Sequence, residues 1–273
     1  MSVELSELIE HFEELWPLPG AEEWDAPGLV SGDVNQRVSR VLLSVDVTAE
    51  IIAEAANGEF DLVFAHHPFL LRGVQTLAET SAKGKVLASA IRASVAIYSA
   101  HTNADIVDQG VSATLASIFG ITAAKPLVAA SDSKTGHGRI GKLASPISLG
   151  DFARKVAGVL PSTAGGVKVA GDFDQVIHTV ALCGGAGDSF ISNALTDEAD
   201  VYVSSDLRHH PVQDAREQSL ASGKQMAIID ISHWAAEWLW LEVAANQLAE
   251  RFPAVQFVVS HLRTDPWDFV VTQ

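Results

Sequence analysis

The chain of 273 residues is 48% hydrophobic and 19% charged, which is typical of globular proteins and allows one large domain or two ordinary ones. Its formal net charge of −16 argues against direct binding to nucleic acid or to an anionic membrane, because both need a basic surface. The single cysteine, Cys183, rules out an intrachain disulfide and fits a reducing compartment. The acidic N-terminal segment lacks the pattern of a secretory signal, so we expect a cytoplasmic protein without a membrane partner.

Strands and helices alternate along most of the chain. Short β-branched runs such as RVLLSVD indicate buried strands, and residues 4–15 repeat apolar side chains at helical spacing. Helices are predicted at 4–15, 48–57, 85–93, 110–119, 149–159, 189–196, 211–221 and 233–250. Strands are predicted at 40–46, 61–67, 95–101, 166–170, 176–183, 200–204, 226–231 and 253–260. This alternation indicates βαβ units, so we predict an α/β protein with largely parallel or mixed sheets.

A change of composition divides the chain into two predicted domains. The segment AASDSKTGHGRIGKLASP, at 129–146, is rich in serine, glycine and other small residues, which is typical of a connection between domains. We predict one α/β domain from residues 1–128 and a second from 129–231. Residues 232–273, a helix and a strand, are predicted to return to the first domain.

Two histidines lie at the end of the strand predicted at 61–67. Ligands of open α/β sheets collect beyond the carboxyl ends of the strands, where His66 and His67 fall. Neighbouring strand residues point to opposite faces, so both imidazoles reach one metal only if the chain bends there, as Pro68 allows. Two neighbouring metals, one for each imidazole, satisfy the same geometry. The alternative is a pair of polar loop histidines.

Further imidazoles and carboxylates follow two other segments. His101 and Asp105 come after the strand at 95–101, where the alternatives are a histidine bonded to backbone and a carboxylate that caps a helix. His233 and Glu237 are four residues apart on a predicted helix, so their side chains share one face. That spacing also arises by chance, but a buried histidine and glutamate need partners, and a metal supplies one.

This combination of donors indicates a transition metal. Imidazole and carboxylate together suit Zn, Mn, Fe or Ni better than Ca or Mg, and such a centre can run hydrolysis at neutral pH. The segment CGGAGDSF, at 183–190, could cradle a phosphate with its backbone N–H groups, although a tight strand-to-helix turn is the favoured interpretation.

Other polar side chains are weaker candidates. His209 and His210 are predicted in a loop after the strand at 200–204, where they would contact substrate or transfer protons, unless they are solvated or start a helix. Arg72 and Arg139 are candidate phosphate partners, since guanidinium binds phosphate in a bidentate manner. Nothing in their spacing singles them out.

Seven motifs, in order, resemble the NIF3-like family, also described as GTP cyclohydrolase 1 type 2 homologues. They are WDAPGLVSGD (24–33), AHHPFLLRG (65–73), SAHTNAD (99–105), GHGRIGKL (136–143), CGGAGDSF (183–190), DLRHHPVQDA (206–215) and ISHWAAE (231–237). The resemblance covers nearly the whole length and implies a NIF3-like fold with a metal site between the two domains. The short linker after residue 129 resembles the form without the extra domain that some members insert. Ala26 and Pro27 depart from the polar residue that many relatives carry after Asp25.

The resemblance also implies a ligand set. The family's metal ligands fall on His66, His67, Asp105, His233 and Glu237. They would hold two divalent ions, with Glu237 bridging both, His67 and Asp105 on one ion, and His66 and His233 on the other. A toroidal homohexamer, with its sites facing an internal cavity, is implied as well.

These observations predict a dinuclear metal-dependent hydrolase. The resemblance suggests a GTP cyclohydrolase type of reaction on a small-molecule substrate, a nucleotide, with opening of the purine ring and release of formate. His101 or His209 would act as general acid or base. The alternatives are a non-enzymatic metal-binding or regulatory scaffold, and a metal-free nucleotide-binding module that uses the turn at Gly184–Gly187.

Overall fold

The computed structural model describes residues 2–131 and 134–272 and has the mixed α/β fold that the sequence predicts. In chain order the strands are β1 (Val3–Glu4), β2 (Gly28–Ser31), β3 (Arg37–Val38), β4 (Arg40–Ser44), β5 (Leu62–Ala65), β6 (Ala96–Ser99), β7 (Ile121–Lys125), β8 (Val128–Ala129), β9 (Gly136–His137), β10 (Arg139–Ser148), β11 (Lys168–Ala170), β12 (Val176–Ala186), β13 (Val201–Ser205), β14 (Ala227–Ile231) and β15 (Gln256–Val259). The helices are α1 (Leu5–Leu15), α2 (Ala49–Asn57), α3 (Ala82–Arg92), α4 (Thr102–Asp105), α5 (Val111–Ile118), α6 (Leu149–Val159), α7 (Ile191–Thr196), α8 (His209–Ala221) and α9 (His233–Arg251).

The chain divides into two compact units. Unit 1 takes the described residues of 1–104 and 241–264, and unit 2 takes those of 105–240 and 265–273. The predicted domain boundaries fall after residues 128 and 231 instead. The earlier boundary of unit 2 has a physical reason, because β7 pairs with β10 and α5 packs beneath the same sheet.

A five-stranded sheet in the order β15-β4-β5-β6-β2 organises the described part of unit 1. Its first four strands are parallel, and β2 pairs antiparallel with β6. Helices cover both faces, which explains why the strands are continuously apolar. Val63 packs with Ile51 of α2 on one face, whereas the neighbouring Phe64 contacts Phe12 of α1 on the other, with ring centroids 5.0 Å apart.

Unit 2 has a six-stranded sheet, within its described residues, in the order β11-β14-β13-β12-β10-β7. Strands β12, β13 and β14 are parallel, whereas β10 and β11 pair antiparallel with their neighbours. Val203 faces a core with Phe152 of α6, and the adjacent Tyr202 faces a second core with Ala194 of α7. Both faces of this sheet are therefore buried.

The structure corrects two local predictions. The predicted connection at 129–146 is largely strand, since it contains β9 and most of β10, while residues 132 and 133 lie outside the described residues. His209 and His210 are the first two residues of α8, so the helix-start alternative is correct and the predicted loop is wrong. The predicted N-caps are confirmed, because Thr48 Oγ1 accepts from the Ile51 N–H at 3.2 Å and Ser232 Oγ accepts from the Ala235 N–H at 3.2 Å.

No helix in the described ranges has the length and apolarity that crossing a membrane requires.

Both units build the start of their parallel strands in the same way. In unit 1, Asp61 Oδ2 accepts from the backbone N–H groups of Ser39 and Arg40, at 2.7 and 3.0 Å. In unit 2, Asp200 Oδ2 accepts from those of His178 and Thr179, at 2.8 and 2.7 Å. The segments that lead into β4 and β12 also match, as GDVNQ at 32–36 and GDFDQ at 171–175. The two units therefore share a repeated structural feature, in which Asp61 and Asp200 occupy equivalent positions.

Candidate metal centre

Three imidazoles lie together at the carboxyl edge of the parallel strands of unit 1. His66 and His67 follow β5 in a bend, and His101 lies two residues after the end of β6. Each offers one ligand atom within 4.8 Å of those of the other two. The bend that the sequence requires for neighbouring histidines to share a site is therefore present. His66 is fully buried, whereas His67 and His101 are half-buried.

Each of these rings is oriented through its Nδ1 atom. His66 Nδ1 donates to the Ala100 carbonyl oxygen at 2.9 Å, His67 Nδ1 to Asp46 Oδ1 at 2.8 Å, and His101 Nδ1 to Asp25 Oδ1 at 2.8 Å. All three partners are acceptors, so the proton of a neutral ring lies on Nδ1 and the lone pair on Nε2. A carbonyl or carboxylate on the remote nitrogen is the usual environment of a metal-binding histidine. The donor set therefore fits a divalent transition metal.

Asp25 fixes the ring of His101. Its carboxylate is fully buried and also accepts from the backbone N–H of Thr102 at 3.1 Å and from the Thr102 hydroxyl. Burial alone would raise the pKa of Asp25, but hydrogen bonds from His101 and Thr102 and the charge of His101 outweigh it and lower the pKa to about 2. The carboxylate is therefore ionised at neutral pH and remains an acceptor.

Unit 2 places one histidine between two carboxylates. Asp206 directly follows β13, and His233 begins α9 just after the neighbouring parallel strand β14. His233 Nδ1 lies 2.7 Å from Asp206 Oδ2, and its Nε2 lies 2.9 Å from Glu237 Oε1. The spacing of four residues on α9 thus brings His233 and Glu237 together, as the sequence predicts. Asp206 has a left-handed φ of 54°, which aspartate tolerates better than most residues.

The surroundings of His233 favour its protonated form. Burial by itself lowers the pKa of His233, but the charges of Glu237 and Asp206, and the hydrogen bonds to both, outweigh burial and raise the pKa well above the ordinary value. His233 is therefore a cation at neutral pH when no metal is bound. A metal ion that binds Nε2 has to displace this proton.

The glycine-rich segment CGGAGDSF packs beside the pair of His233 and Glu237. A Cβ atom on Gly185 would lie 2.6 Å from Glu237 Oε1, and the φ of Gly185 is +70°. The carbonyl oxygens of Gly185 and Gly187 accept from the hydroxyls of Ser204 and Tyr202, at 3.0 and 2.7 Å. The first half of the segment, at 183–186, is the end of β12, so the predicted turn is confined to the residues that follow, and Gly185 makes room for the glutamate from within the strand.

The remaining candidates lie at the following places. Asp105 ends the short helix α4, and the helix behind it begins after Gly110, so Asp105 does not cap that helix. His209 is exposed on the first turn of α8, where its ring meets that of His210 with centroids 5.2 Å apart. Cys183 is a buried core residue, and burial and the charge of Asp105 raise the pKa of its thiol to about 12.

Sequence reasoning missed the carboxylates that orient the histidines. Asp46, Asp25 and Asp206 were not among the predicted site residues, although each holds the Nδ1 atom of one histidine. A signal existed for two of them, because Asp46 and Asp206 follow the ends of parallel strands β4 and β13. The rule that located the histidines at strand ends would also have located these carboxylates.

The comparisons with known proteins define the family. The family model Duf34/NIF3 (NGG1p interacting factor 3) matches residues 3–266, so the chain belongs to the NIF3 family. Among solved structures, a Bacillus cereus protein related to NIF3 has a TM-score of 0.90 at 24% identity, with 98% of this chain and 99% of that chain covered. Reduced HcgD from Methanocaldococcus jannaschii has a TM-score of 0.80 at 25% identity, with 96% and 99% covered.

Curated relatives carry the name GTP cyclohydrolase 1 type 2 homolog. The protein of Streptomyces coelicolor is 40% identical over 270 residues, which cover 96% of this chain and 93% of that protein. The protein of Clostridium perfringens is 31% identical and covers 98% of this chain and 100% of its own length. The alignment with the Mycobacterium leprae relative, 29% identical, runs over 376 positions and covers 98% of this chain and 96% of that protein. Since this chain has only 273 residues, that relative contains inserted residues that this chain lacks.

Proposed function

We propose that this protein is a dinuclear metal-dependent hydrolase. The observation that carries the proposal is the cluster of His66, His67 and His101, whose ligand atoms lie within 4.8 Å of one another while each Nδ1 atom is occupied by an acceptor. An acceptor at Nδ1 suits His66 and His67 as metal ligands through Nε2, and it suits His101 as a group that exchanges a proton through Nε2 beside the metal.

The proposed ligands of two divalent ions, Zn, Mn, Fe or Ni, are His66, His67, Asp105, His233 and Glu237. When bound, such ions would polarise a substrate and lower the pKa of a bound water, which makes a nucleophile available at neutral pH. Glu237 is the proposed bridging ligand, and its hydrogen bond to His233 places both donors on one side of α9. The carboxylates of Asp46 and Asp206 orient His67 and His233 and so fix the donors before any ion arrives.

His101 is the proposed general acid or base. Asp25 holds its Nδ1 proton, so Nε2 is the atom that can accept or return a proton at the substrate. His209 is the weaker candidate, because it lies exposed on α8 with only the ring of His210 described beside it. A His101→Ala variant that keeps its metal but loses turnover would support this role, whereas loss of metal would make His101 a ligand instead.

The proposed reaction is of the GTP cyclohydrolase type. Its support is the name GTP cyclohydrolase 1 type 2 homolog that the relatives carry, together with a donor set suited to hydrolysis. Such a reaction opens the purine ring of a nucleotide and releases formate. A toroidal homohexamer is the assembly that goes with this proposal.

The test is turnover of GTP by protein loaded with Zn, Mn, Fe or Ni, followed as formate release and as a change in ultraviolet absorbance. Glu237→Gln is the inactive control, and Glu242→Gln, an exposed change on the same helix, is the matched variant that should stay active. Absence of turnover with every metal would remove this activity. Bound metal without turnover across a panel of hydrolase substrates would favour a non-enzymatic metal-binding or regulatory scaffold.

A further inference from the structure

An open cleft of 470 Å³ lies in unit 2 beside α5 and β7. Its lining includes the basic side chains of Lys125, Lys134 and Arg139 and the carboxylate of Asp108. None of the five proposed metal ligands is among the described residues that line it. The volume is within the range of small-molecule sites.

The charge of this cleft opposes that of the whole chain. The protein has 34 Asp and Glu residues against 18 Lys and Arg, yet three basic side chains and one carboxylate line the cleft. Because interactions between exposed charges are screened beyond about 10 Å, the charges that line the cleft dominate its local field. The cleft is therefore positive inside an acidic protein.

Arg139 supplies a fixed positive charge. Its side chain is only 3% exposed, and its guanidinium donates to the carbonyl oxygens of Gly136, Gly138 and Val107, at 2.8, 2.7 and 2.6 Å. Carbonyl groups orient the guanidinium but carry no net charge, so they do not cancel its positive charge. Because the guanidinium is already held in place, anion binding does not cost the conformational entropy of ordering this side chain.

The two lysines and the apolar lining complete the site. Lys125 ends β7 and Lys134 precedes β9, and both side chains are exposed at the cleft. The hydroxyl of Ser117 adds a neutral donor. Several apolar residues, among them Ala116, Ile121 and Pro126, line the rest of the cleft and suit an uncharged ring or chain.

We propose that this cleft binds a small molecule that carries a phosphate group. A phosphate monoester bears about −1.5 to −2 charge at neutral pH, which matches the excess of basic side chains better than a single carboxylate does. Lys125 and Lys134 bind its oxygens through charge-assisted hydrogen bonds, the positive charge of Arg139 attracts it, and the apolar lining contacts the body of the molecule. The site needs no metal.

The test uses the full chain, freed of metal with a chelator, and calorimetric titration with phenyl phosphate. The double variant Lys125→Gln/Lys134→Gln should bind about tenfold more weakly or worse, because two charge-assisted hydrogen bonds are lost. Arg139 is left intact, since removing its backbone contacts would disturb the fold. The control Lys85→Gln/Lys224→Gln makes the same charge change at an exposed and a half-buried position outside the cleft and should bind as the wild type does.

Two further measurements separate this site from the metal residues and define its ligand. Glu237→Gln should bind phenyl phosphate with wild-type affinity, and benzoate should bind wild-type protein much more weakly than phenyl phosphate. Absence of saturable binding, equal affinity in the two double variants, loss of binding in Glu237→Gln alone, or equal affinity for benzoate would each overturn the proposal.

Discussion

The two units share the hydrogen bonds that an aspartate makes at the start of their parallel strands, but they carry different side chains at the ends of those strands. Asp61 and Asp200 make equivalent hydrogen bonds at the start of β5 and β13. Six residues after each aspartate, unit 1 has His67 and unit 2 has Asp206. In unit 1 the residue at the strand end is itself an imidazole that a carboxylate orients. In unit 2 it is the carboxylate, and the imidazole that it orients is His233 of α9. The repeated feature therefore decides where side chains meet, and the residues at the strand ends decide what they bind.

The units also differ in the groups that surround each histidine. In unit 1, the Nδ1 atom of each of the three histidines faces one acceptor, a carbonyl oxygen or a carboxylate. In unit 2, Asp206 and Glu237 lie at the two nitrogens of His233, and together they raise its pKa. A metal that binds Nε2 of His233 therefore competes with a proton.

The largest effect is expected for Glu237→Gln. If Glu237 bridges two ions, its loss weakens both, by more than the roughly 10- to 100-fold that loss of an orienting partner causes. Metal content per chain after dialysis is the measurement, with Glu242→Gln on the same helix as control. Full occupancy in Glu237→Gln would contradict the bridging assignment.

The orienting carboxylates should have the next largest effect. Asp46→Ala and Asp206→Ala should each lower metal affinity about 10- to 100-fold, measured by competition with a coloured chelator. Removing Asp206 also removes a group that raises the pKa of His233, so the competing proton becomes easier to displace and part of the loss should be offset as the pH is lowered. Unchanged affinity in both variants would contradict the orienting role of these carboxylates.

The free energy of unfolding should depend on the backbone hydrogen bonds that Asp61 and Asp200 accept. Asp61 Oδ2 accepts from two backbone N–H groups and the Ser39 hydroxyl, and Asp200 Oδ2 from two backbone N–H groups. We expect Asp61→Ala to cost about 2–3 kcal/mol in the free energy of unfolding and Asp200→Ala about 1–2 kcal/mol, since each leaves backbone donors unsatisfied. Urea unfolding measures both, with the exposed Asp197→Ala as control. The reverse order would contradict the larger cost that we assign to Asp61 for its additional hydrogen bond from the Ser39 hydroxyl.

The smallest effect is a pH dependence of the metal-free protein. The folded pKa of His233 is raised, so its contribution to stability is fully present below the unfolded pKa of about 6.5 and is lost as pH rises through the folded pKa. The difference in unfolding free energy between wild type and His233→Gln should therefore shrink from about pH 6 towards alkaline pH. A difference that grows with pH would contradict the proposed ion pairs.

Much of the fold could be predicted because strand and helix periods are strong signals. The apolar strands β4, β5 and β6 and the capped helices α2 and α9 were predicted with each end within two residues of its observed position. Strand β10 was missed, because its segment, RIGKLASPIS, carries glycine, proline and serine that are typical of a loop. Antiparallel pairing with β7 and β12 makes this segment a strand, and that pairing is a tertiary effect.

The site was predictable to the extent that one rule located it. Histidines at the carboxyl ends of parallel strands were expected to meet, and His66, His67 and His101 do so. The identity of each orienting partner was not predictable, since Ala100 acts through its carbonyl oxygen and Asp25 acts from a segment far away in sequence. Such partners depend on backbone geometry that no local pattern encodes.

The most direct measurement is the metal content of gently purified protein, determined by elemental analysis together with protein concentration. Close to two transition-metal ions per chain, falling in His67→Ala and in Glu237→Gln alike, is the result that a dinuclear centre predicts. Protein that takes up no transition metal, even after incubation with Zn, Mn, Fe and Ni at neutral pH, would contradict it.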